Sequence, residues 1–495
     1  MQAPPRDPAR ARPSARPTRP PRGQVIESVA TVPAWRPPRS TTGRWMSRLD
    51  PRTWRAVRRG LVMLALVPLM SIVAAKADHI VHDPLLGAYG IGVTFSTVAM
   101  MYLAFVRYRD PSLDVPLTGF EQPLVSFLVA VKNEEDNIDS CILSILRSDY
   151  QNLEVFVVND GSTDRTGEVL AAIADEYPGL HVLTMEKSVG KKRALVAAAR
   201  QAKGDVFAFT DSDCILAPDA LRRCVAVLVH RPDVGGVSGH ARALNAERNM
   251  LTKTQDVWYD GQFSVGKAAE SAFGSVTCVS GPLAVFRKEA IYNYLPAWAN
   301  DRFAGQEFPF ATDRQLTGYV LGQRWKGKRL KAQFASDPFV ASVDYPERQW
   351  RIEYLRSARV WTNVPATGRN FFKQQARWKK SFIRNLFFNG PYIWRRGTGP
   401  AALFYLHALW VVAAPLMFFR HLVWLPYQGQ WVLVGLYLAG VFTKGSVYAV
   451  AFKIQNPGCT RWVYRPLMSL LSSIGLSWLI LYSAATVRKG VWHRA

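Results

Sequence analysis

The apolar positions along the chain fall into two regimes, long uncharged runs near both ends and short alternating or continuous runs between them. Residues 60–77, interrupted by Pro68, and residues 85–106 are each long enough to be bilayer segments. The polar connection from Asp78 to Pro84 is short, so the two predict a transmembrane helical hairpin over 59–108. Residues 401–419, 431–452 and 467–487 are again apolar enough to span or line a bilayer, which predicts a C-terminal membrane region over 399–490. Between these ends the pattern changes to that of a water-facing α/β domain, expected over 120–365. Continuous apolar strands are predicted at 124–131, 153–158 and 206–210, with a short one at Val182–Leu183. Helical spacing occupies 137–146, 165–177 and the stretch from Gly190 through Ala202. Strands alternating with helices of this length imply right-handed βαβ units and a parallel, Rossmann-like sheet. Residues 371–388 mix aromatics with Lys373, Arg377, Lys379, Lys380 and Arg384, which predicts an amphipathic interface element within 366–398.

Composition sharpens the membrane reading. The chain has 495 residues, 16 Trp, 49% hydrophobic residues and a formal net charge of +25. Such length allows about three domains. Residues 1–58 are rich in Pro and Arg and poor in aliphatics, so burial there cannot offset ordering entropy and a disordered arm is expected. Arg52, Arg55, Arg58 and Arg59 before the first run, and Arg107 and Arg109 after the second, put both flanks in the cytoplasm by the positive-inside rule. A cleavable signal peptide is not expected, because the first apolar run starts far from Met1. Cys141, Cys214, Cys224, Cys278 and Cys459 show no CxxC spacing, which argues against a zinc ribbon or disulfide framework and fits a reducing compartment. Excess positive charge could serve a nucleic acid, but no finger, helix-turn-helix or RNP signature accompanies it. Anionic lipid and anionic substrates are the simpler partners.

The chemistry gathers where strands end. After the 206–210 strand come Asp211, Ser212 and Asp213, two carboxylates that converge only if a turn follows the strand. Carboxylates on that edge of an open α/β sheet suit Mg²⁺ or Mn²⁺, which take oxygen ligands and bridge to phosphates. Taken alone, Asp-x-Asp is more often a solvated acidic turn. Asn133, Glu134 and Asp160 also stand at strand ends, where they can bond a base and ribose, although strand-end and helix capping is the plainer role for such residues. Lys191, Lys192 and Arg193 open a helix, a place that favours phosphate, and at least one of them is expected to be a solvated cation. Gln374, Arg377 and Trp378 share one helical face.

With these motifs in family order, the sequence resembles the family 2 (GT-A) processive membrane glycosyltransferases, in the hyaluronan synthase and chitin-oligosaccharide synthase branch. The resemblance rests on Val131–Lys132–Asn133–Glu134, Asn159–Asp160–Gly161–Ser162–Thr163–Asp164, Asp211–Ser212–Asp213, Ser280–Gly281–Pro282–Leu283, Thr312–Asp313–Arg314 and Gln374–Gln375–Ala376–Arg377–Trp378, with a further likeness from Tyr259–Asp260 to Glu270–Ser271. It implies a cytosolic GT-A domain set between membrane helices in the plasma membrane, acting as a metal-dependent, inverting enzyme. The donor implied is a UDP-sugar, UDP-N-acetylglucosamine with UDP-glucuronate possible. The product would be a growing polysaccharide passed through the helices, hyaluronan-like or N-acetylglucosamine-containing. Asn133, Glu134, Asp160, Lys191, Asp211 and Arg377 would bind the nucleotide sugar, and Asp211 and Asp213 the Mn²⁺ or Mg²⁺. Asp313 would be the general base, with an N-cap as its plainer role. Gln374, Trp378, Ser280 and Gly281 would meet the acceptor. A chitin-oligosaccharide or poly-N-acetylglucosamine synthase, a lipid-linked transferase and a degenerate scaffold remain alternatives.

Two stretches depart from the family pattern. Residues 318–357, with Trp325 and Trp350, read as an insertion that could form an interface or partner site. At the end of the chain, residues 487–494 resemble a worn form of the family's Trp-Gly-Thr-Arg gating segment, with Trp492 as its tryptophan.

Overall fold

The computed structural model of the protein describes residues 51–75 and 84–489. Most of the N-terminal arm, the connection within the hairpin and Trp492 therefore lie outside the described residues. Helices α1 (Pro51–Ala75) and α2 (Pro84–Tyr102) lie where the N-terminal hairpin is expected. Only the second meets the length of a span, as Gly87–Leu113; the apolar part of α1, Arg59–Ala74, is shorter.

Between the apolar ends stands an eight-stranded sheet in the order β3-β2-β1-β4-β7-β6-β10-β5. Its first half is the predicted one: β1 (Val125–Val131), β2 (Leu153–Asn159), β3 (Leu180–Thr184) and β4 (Val206–Asp211) are parallel neighbours. They are linked through α3 (Ile138–Leu146), α4 (Thr166–Glu176) and α5 (Lys191–Gln201). Every residue of β1 is buried, as a strand covered by helices on both faces must be. The pairing register matters for function. Val131 pairs Asn159, Asn159 pairs Thr184, and Ala130 pairs Asp211, so the polar strand ends come out along one rim.

The second half is mixed. β7 (Ala284–Arg287) runs antiparallel to β4 and to β6 (Val234–Ala243), and β10 (Arg351–Thr362) runs parallel to β6 and antiparallel to β5 (Cys214–Leu216). A two-residue ladder, β8 (Arg302–Phe303) with β9 (Gln306–Glu307), stands apart. This half corrects the reading of 318–357 as an insertion. Its C-terminal part enters β10, a strand inside the sheet, and Trp350 before it is buried with its indole N–H donating to Gln323 at 2.7 Å. Trp325 stacks on Tyr392. The stretch looked foreign because its polar residues outnumber its apolar ones; what it supplies is part of the core.

Around the sheet lie α6 (Ala220–His230), α7 (Met250–Gly261) and α8 (Thr312–Ala332). The amphipathic element is one helix, α9 (Gly368–Ile393). Helices α10 (Thr398–Phe419) and α11 (Trp431–Gln455) fall within two further lengths apolar enough to cross a membrane, Thr398–Tyr427 and Trp431–Gln455. The third expected C-terminal span is instead a pair, α12 (Arg465–Ile474) and α13 (Leu479–Ala485), bent by 49° over a path that starts at Arg461. Gly475, Ser477 and the missing apolar continuity explain the break. The sheet is tied to these helices by a buried ion cluster. Arg242 of β6 makes two bonds of 2.8 and 2.7 Å to Asp256 of α7, and Arg461 reaches the same carboxylate at 2.9 Å. A forked guanidinium suits such a two-point contact, and Asp256 is held below the usual carboxylate range because Arg242 and Arg461 outweigh its burial.

Candidate active site

The rim of the parallel half is built by two loops that fasten to each other. Asn133, after β1, sits at φ 53°, a left-handed conformation that asparagine tolerates. Its backbone N–H donates to Ser162 at 3.0 Å, and its side-chain oxygen accepts from Thr163 N at 2.8 Å. The N–H of Glu134 donates to Thr166 Oγ1 at 2.9 Å, and the Glu134 carboxylate accepts from Asn137 at 3.1 Å. These contacts hold both residues beside the Asn159–Asp160 turn.

Asp160 is 5% exposed and organises the next loop. Its carboxylate accepts from Ser188 Oγ at 2.8 Å, Val189 N at 2.6 Å and Gly190 N at 3.1 Å. Gly190 adopts φ 90°, which only glycine reaches without strain, and the chain then enters α5 at Lys191. Lys191 forms an ion pair with Asp211 at the end of β4. Burial alone would lower this ammonium, yet the charges of Asp211 and Asp313 outweigh it and raise its pKa. Of the three basic residues opening α5, this one alone meets the rim. Lys192 turns into the core, bonded to Phe308 O at 2.8 Å and Gln315, and Arg193 pairs with Glu307 at 2.6 Å. The correction has a helical cause: successive residues point about 100° apart, so three neighbours cannot share a ligand.

Asp211 and Asp213 come together across the turn into β5, with Cys214 beside them; one ligand atom from each lies within 4.8 Å of the others. Asp213 is pushed up to about 6 by burial and by the negative charge of Asp211. That mutual repulsion is what a divalent cation relieves. The Cys214 thiol is fully buried and held protonated by burial and the two carboxylates, so the available donors are carboxylate oxygens, a set suited to Mg²⁺ or Mn²⁺ with the remaining positions left to water or phosphate.

Gly281 connects this pair to the fourth acid. A Cβ built on Gly281 would stand 2.8 Å from Asp211 Oδ2, so no larger residue fits against that carboxylate. The Gly281 N–H donates to Asp313 Oδ2 at 3.3 Å. Ser280 is fixed through its own N–H to Ser238 Oγ at 3.3 Å. Asp313 lies within the first turn of α8, not at its cap; the cap position is Ala311, at φ 63° and with no capping side chain. Asp313 Oδ1 accepts from Arg314 N at 3.0 Å. A carboxylate in a first helical turn faces the positive end of the helix dipole.

Helix α9 closes the cleft from the membrane side. Arg377 lies close enough to Asp211 for that charge to offset part of its burial. Trp378 is 37% exposed, and its ring centroid lies 5.8 Å from those of both Trp258 and Tyr259. Gln374 bonds the Tyr259 hydroxyl, whose pKa is raised by burial and then by Asp213 and Asp211. One rim therefore carries Asp160, Lys191, Asp211, Asp213, Gly281, Asp313 and the Gln374–Trp378 face.

The structure adds residues that sequence reasoning passed over. Cys278, read as a small core residue, places Sγ 3.5 Å from Asp313 Oδ2, and its thiol is pushed up to about 11 by burial and Asp313. Tyr259 had a signal, since it starts the segment of family likeness; Trp258 beside it completes the aromatic group. Asp301 had none. It is buried and accepts two bonds from Arg384 of α9, at 3.1 and 2.6 Å, with Lys192 of α5 at 3.5 Å.

Residues 126–295 match the family described as "Glycosyl transferase family 2". The chain carries a family 2 glycosyltransferase domain. Its mixed α/β sheet with a Rossmann-like half is the GT-A arrangement. The chain is 33% identical over 308 residues to an N-acetylglucosaminyltransferase of Rhizobium meliloti, covering 60% of this chain and 66% of the relative. It is 31% identical over 303 residues to one of Mesorhizobium japonicum, covering 60% and 65%. The matched part thus spans just under two thirds of these relatives. Similarity to the hyaluronan synthase of Streptococcus pyogenes is lower, 24%, but runs over 450 residues, 88% of this chain and 97% of that one. Among its relatives this glycosyltransferase is hyaluronan synthase-like.

Proposed function

We propose that the protein is a processive, inverting glycosyltransferase of the plasma membrane that polymerises UDP-sugars into a β-linked polysaccharide and passes it between its own helices. The observation that carries the reading is the single rim: Gly281 lies against Asp211 and donates to Asp313, while the Trp378 face stands over the same carboxylates. A donor diphosphate, an attacking hydroxyl and an acceptor ring would all find their partners there.

Each group has a task. Asn133, Glu134 and Asp160 line the uridine side, with Asp160 fixing the loop that delivers Lys191. Lys191 and Arg377 offer positive charge to the diphosphate, which would take over from Lys191 the role that Asp211 now fills. Asp211 and Asp213 would hold Mn²⁺ or Mg²⁺, whose charge stabilises the departing UDP. Asp313 takes the proton of the acceptor hydroxyl as its oxygen attacks the anomeric carbon from the face opposite UDP, so the carbon–UDP bond breaks as the new glycosidic bond forms. Trp378, braced by Trp258 and Tyr259, presents its free face to the acceptor sugar.

The full-length likeness to hyaluronan synthase favours two alternating donors; the higher identity to N-acetylglucosaminyltransferases favours one. Purified protein with Mn²⁺ or Mg²⁺ and radiolabelled UDP-sugars, singly and in pairs, separates them. High-mass label requiring both UDP-N-acetylglucosamine and UDP-glucuronate is the outcome for a hyaluronan-like product, and label from UDP-N-acetylglucosamine alone for the second reading. Transfer of one sugar to lipid with no polymer refutes processive synthesis.

A further inference from the structure

Behind Asp313, on the side away from Gly281, a cavity opens between the sugar-transferring domain and the first C-terminal apolar helix. It is walled by Arg314 of α8, Asn385 and Asn389 of α9, Glu270, and Phe404 and His407 of α10. Three features ask for a ligand. The Asn385 side chain is 4% exposed, and its Nδ2 has no hydrogen-bond partner among the described residues. A buried amide left this way costs about 1–3 kcal/mol unless something accepts from it. The guanidinium of Arg314 forms no ion pair with a described carboxylate. Lys379 is likewise without one, and it lies on the α9 stripe of positions 379, 382, 386 and 389 that faces the cavity.

The remaining charge does not cancel these cations. Glu270 already accepts from Thr277 Oγ1 at 2.6 Å and Thr277 N at 3.1 Å, and burial raises its pKa toward the neutral acid. Lys379 is lowered to about 8 by burial and by the nearby Arg314, the mark of a like-charged pair without its counter-ion. Amides and aromatic faces beside two unpaired cations suit a sugar ring bearing a carboxylate.

We propose that this cavity is a binding subsite for an acidic sugar of the growing chain, one that the polymer enters after leaving the acceptor position, with Arg314 and Lys379 pairing its carboxylate and Asn385 bonding its ring substituents. The inference rests on the glycosyltransferase reading above and narrows its product to a uronate-containing polymer.

The test uses the full-length protein in detergent and two probes of equal length, a β-linked tetrasaccharide alternating glucuronate with N-acetylglucosamine, and chitotetraose. The acidic probe is expected to bind at least tenfold more tightly, and the preference to shrink as salt rises. Lys379→Met and Asn385→Leu are expected to weaken the acidic probe about tenfold while UDP affinity stays unchanged, which also reports that both variants fold. Equal affinity for the two probes, a preference for chitotetraose, or variants that bind the acidic probe like the parent overturn the subsite. None of those outcomes touches transfer itself. Failure of the parent protein to transfer from any UDP-sugar would instead remove the reading on which the subsite stands.

Discussion

Replacing Arg384 with Met tests whether the two ends of the cleft are held by one buried charge cluster. Arg384 of α9 bonds both oxygens of Asp301, which also faces Lys192 of α5, and all three side chains are no more than 6% exposed. Helix α5 begins with Lys191 and α9 carries Trp378, so the cluster joins the donor side to the acceptor side. At an effective dielectric of about 20, unit charges roughly 4 Å apart attract by about 4 kcal/mol, and removing one partner of a buried pair costs about 3–5 kcal/mol. Lys192 remains to face Asp301 at the longer distance, which places the expected loss at the lower end, about 3 kcal/mol. Unfolding in detergent, followed by tryptophan fluorescence against denaturant, reads that loss. Asp301→Asn should cost a similar amount, because Arg384 and Lys192 then confront each other unneutralised. The double variant should cost less than the sum by about 2 kcal/mol. Polymer made by Arg384→Met should be shorter, since the acceptor helix is no longer fixed to the donor helix. A loss below about 0.5 kcal/mol in Arg384→Met, with product length unchanged, refutes the reasoning.

The other predictions concern the rim. Asp313→Asn should lower transfer by about 10²–10⁴-fold and leave UDP affinity alone, so a fall in UDP affinity counts against its role as base. Trp378→Ala should stop elongation and Trp378→Phe restore part of it, whereas undiminished polymer from the alanine variant excludes stacking of the acceptor. Chelating divalent cations should halt transfer and Mn²⁺ or Mg²⁺ should restore it; full activity in chelator would separate Asp211 and Asp213 from metal binding. Lys192 gives a pH signature. Burial lowers it to about 8, below its unfolded value, so the folded chain carries fewer protons than the unfolded one between about 8 and the ordinary lysine range. Stability should therefore rise with pH across that window, with the full burial cost present below it. Lys192→Met should flatten this part of the difference curve, and an unchanged curve removes the assignment.

What was legible in the sequence follows from what is local. Strands β1, β2 and β4 announce themselves because each is a continuous apolar run that stops at a polar turn, and their parallel register then brings Asn133, Asp160 and Asp211 to one rim without further information. The face of Gln374, Arg377 and Trp378 was legible for the same reason, from helical spacing alone. The antiparallel half was not. β7 is four residues long, and β10 arrives about 65 residues later through a basic, aromatic stretch that resembles an insertion. Its pairing with β6 is a long-range choice that no window of sequence encodes. Lys192 and Arg193 were misplaced because a run of like charges hides which member points inward.

Gly281 shows why the remaining step could not be made from motifs. As part of Ser280–Gly281–Pro282 it looked like a turn that lets backbone approach the acceptor, and the structure gives the missing side chain a different use. Without a Cβ, the backbone comes against Asp211 while its N–H reaches Asp313, so a single residue sets the spacing between a metal-site carboxylate and the proposed base. A Cβ there has to displace one of the two acids, and the displaced atoms are a carboxylate fixed at a strand end rather than a flexible chain tip. Gly281→Ala is thus expected to damage transfer as severely as loss of either acid while adding only one methyl group. Near-normal transfer by that variant, with Asp211 and Asp313 intact, would mean that the two carboxylates do not need the separation this glycine imposes, and the shared-rim mechanism would lose its geometric basis.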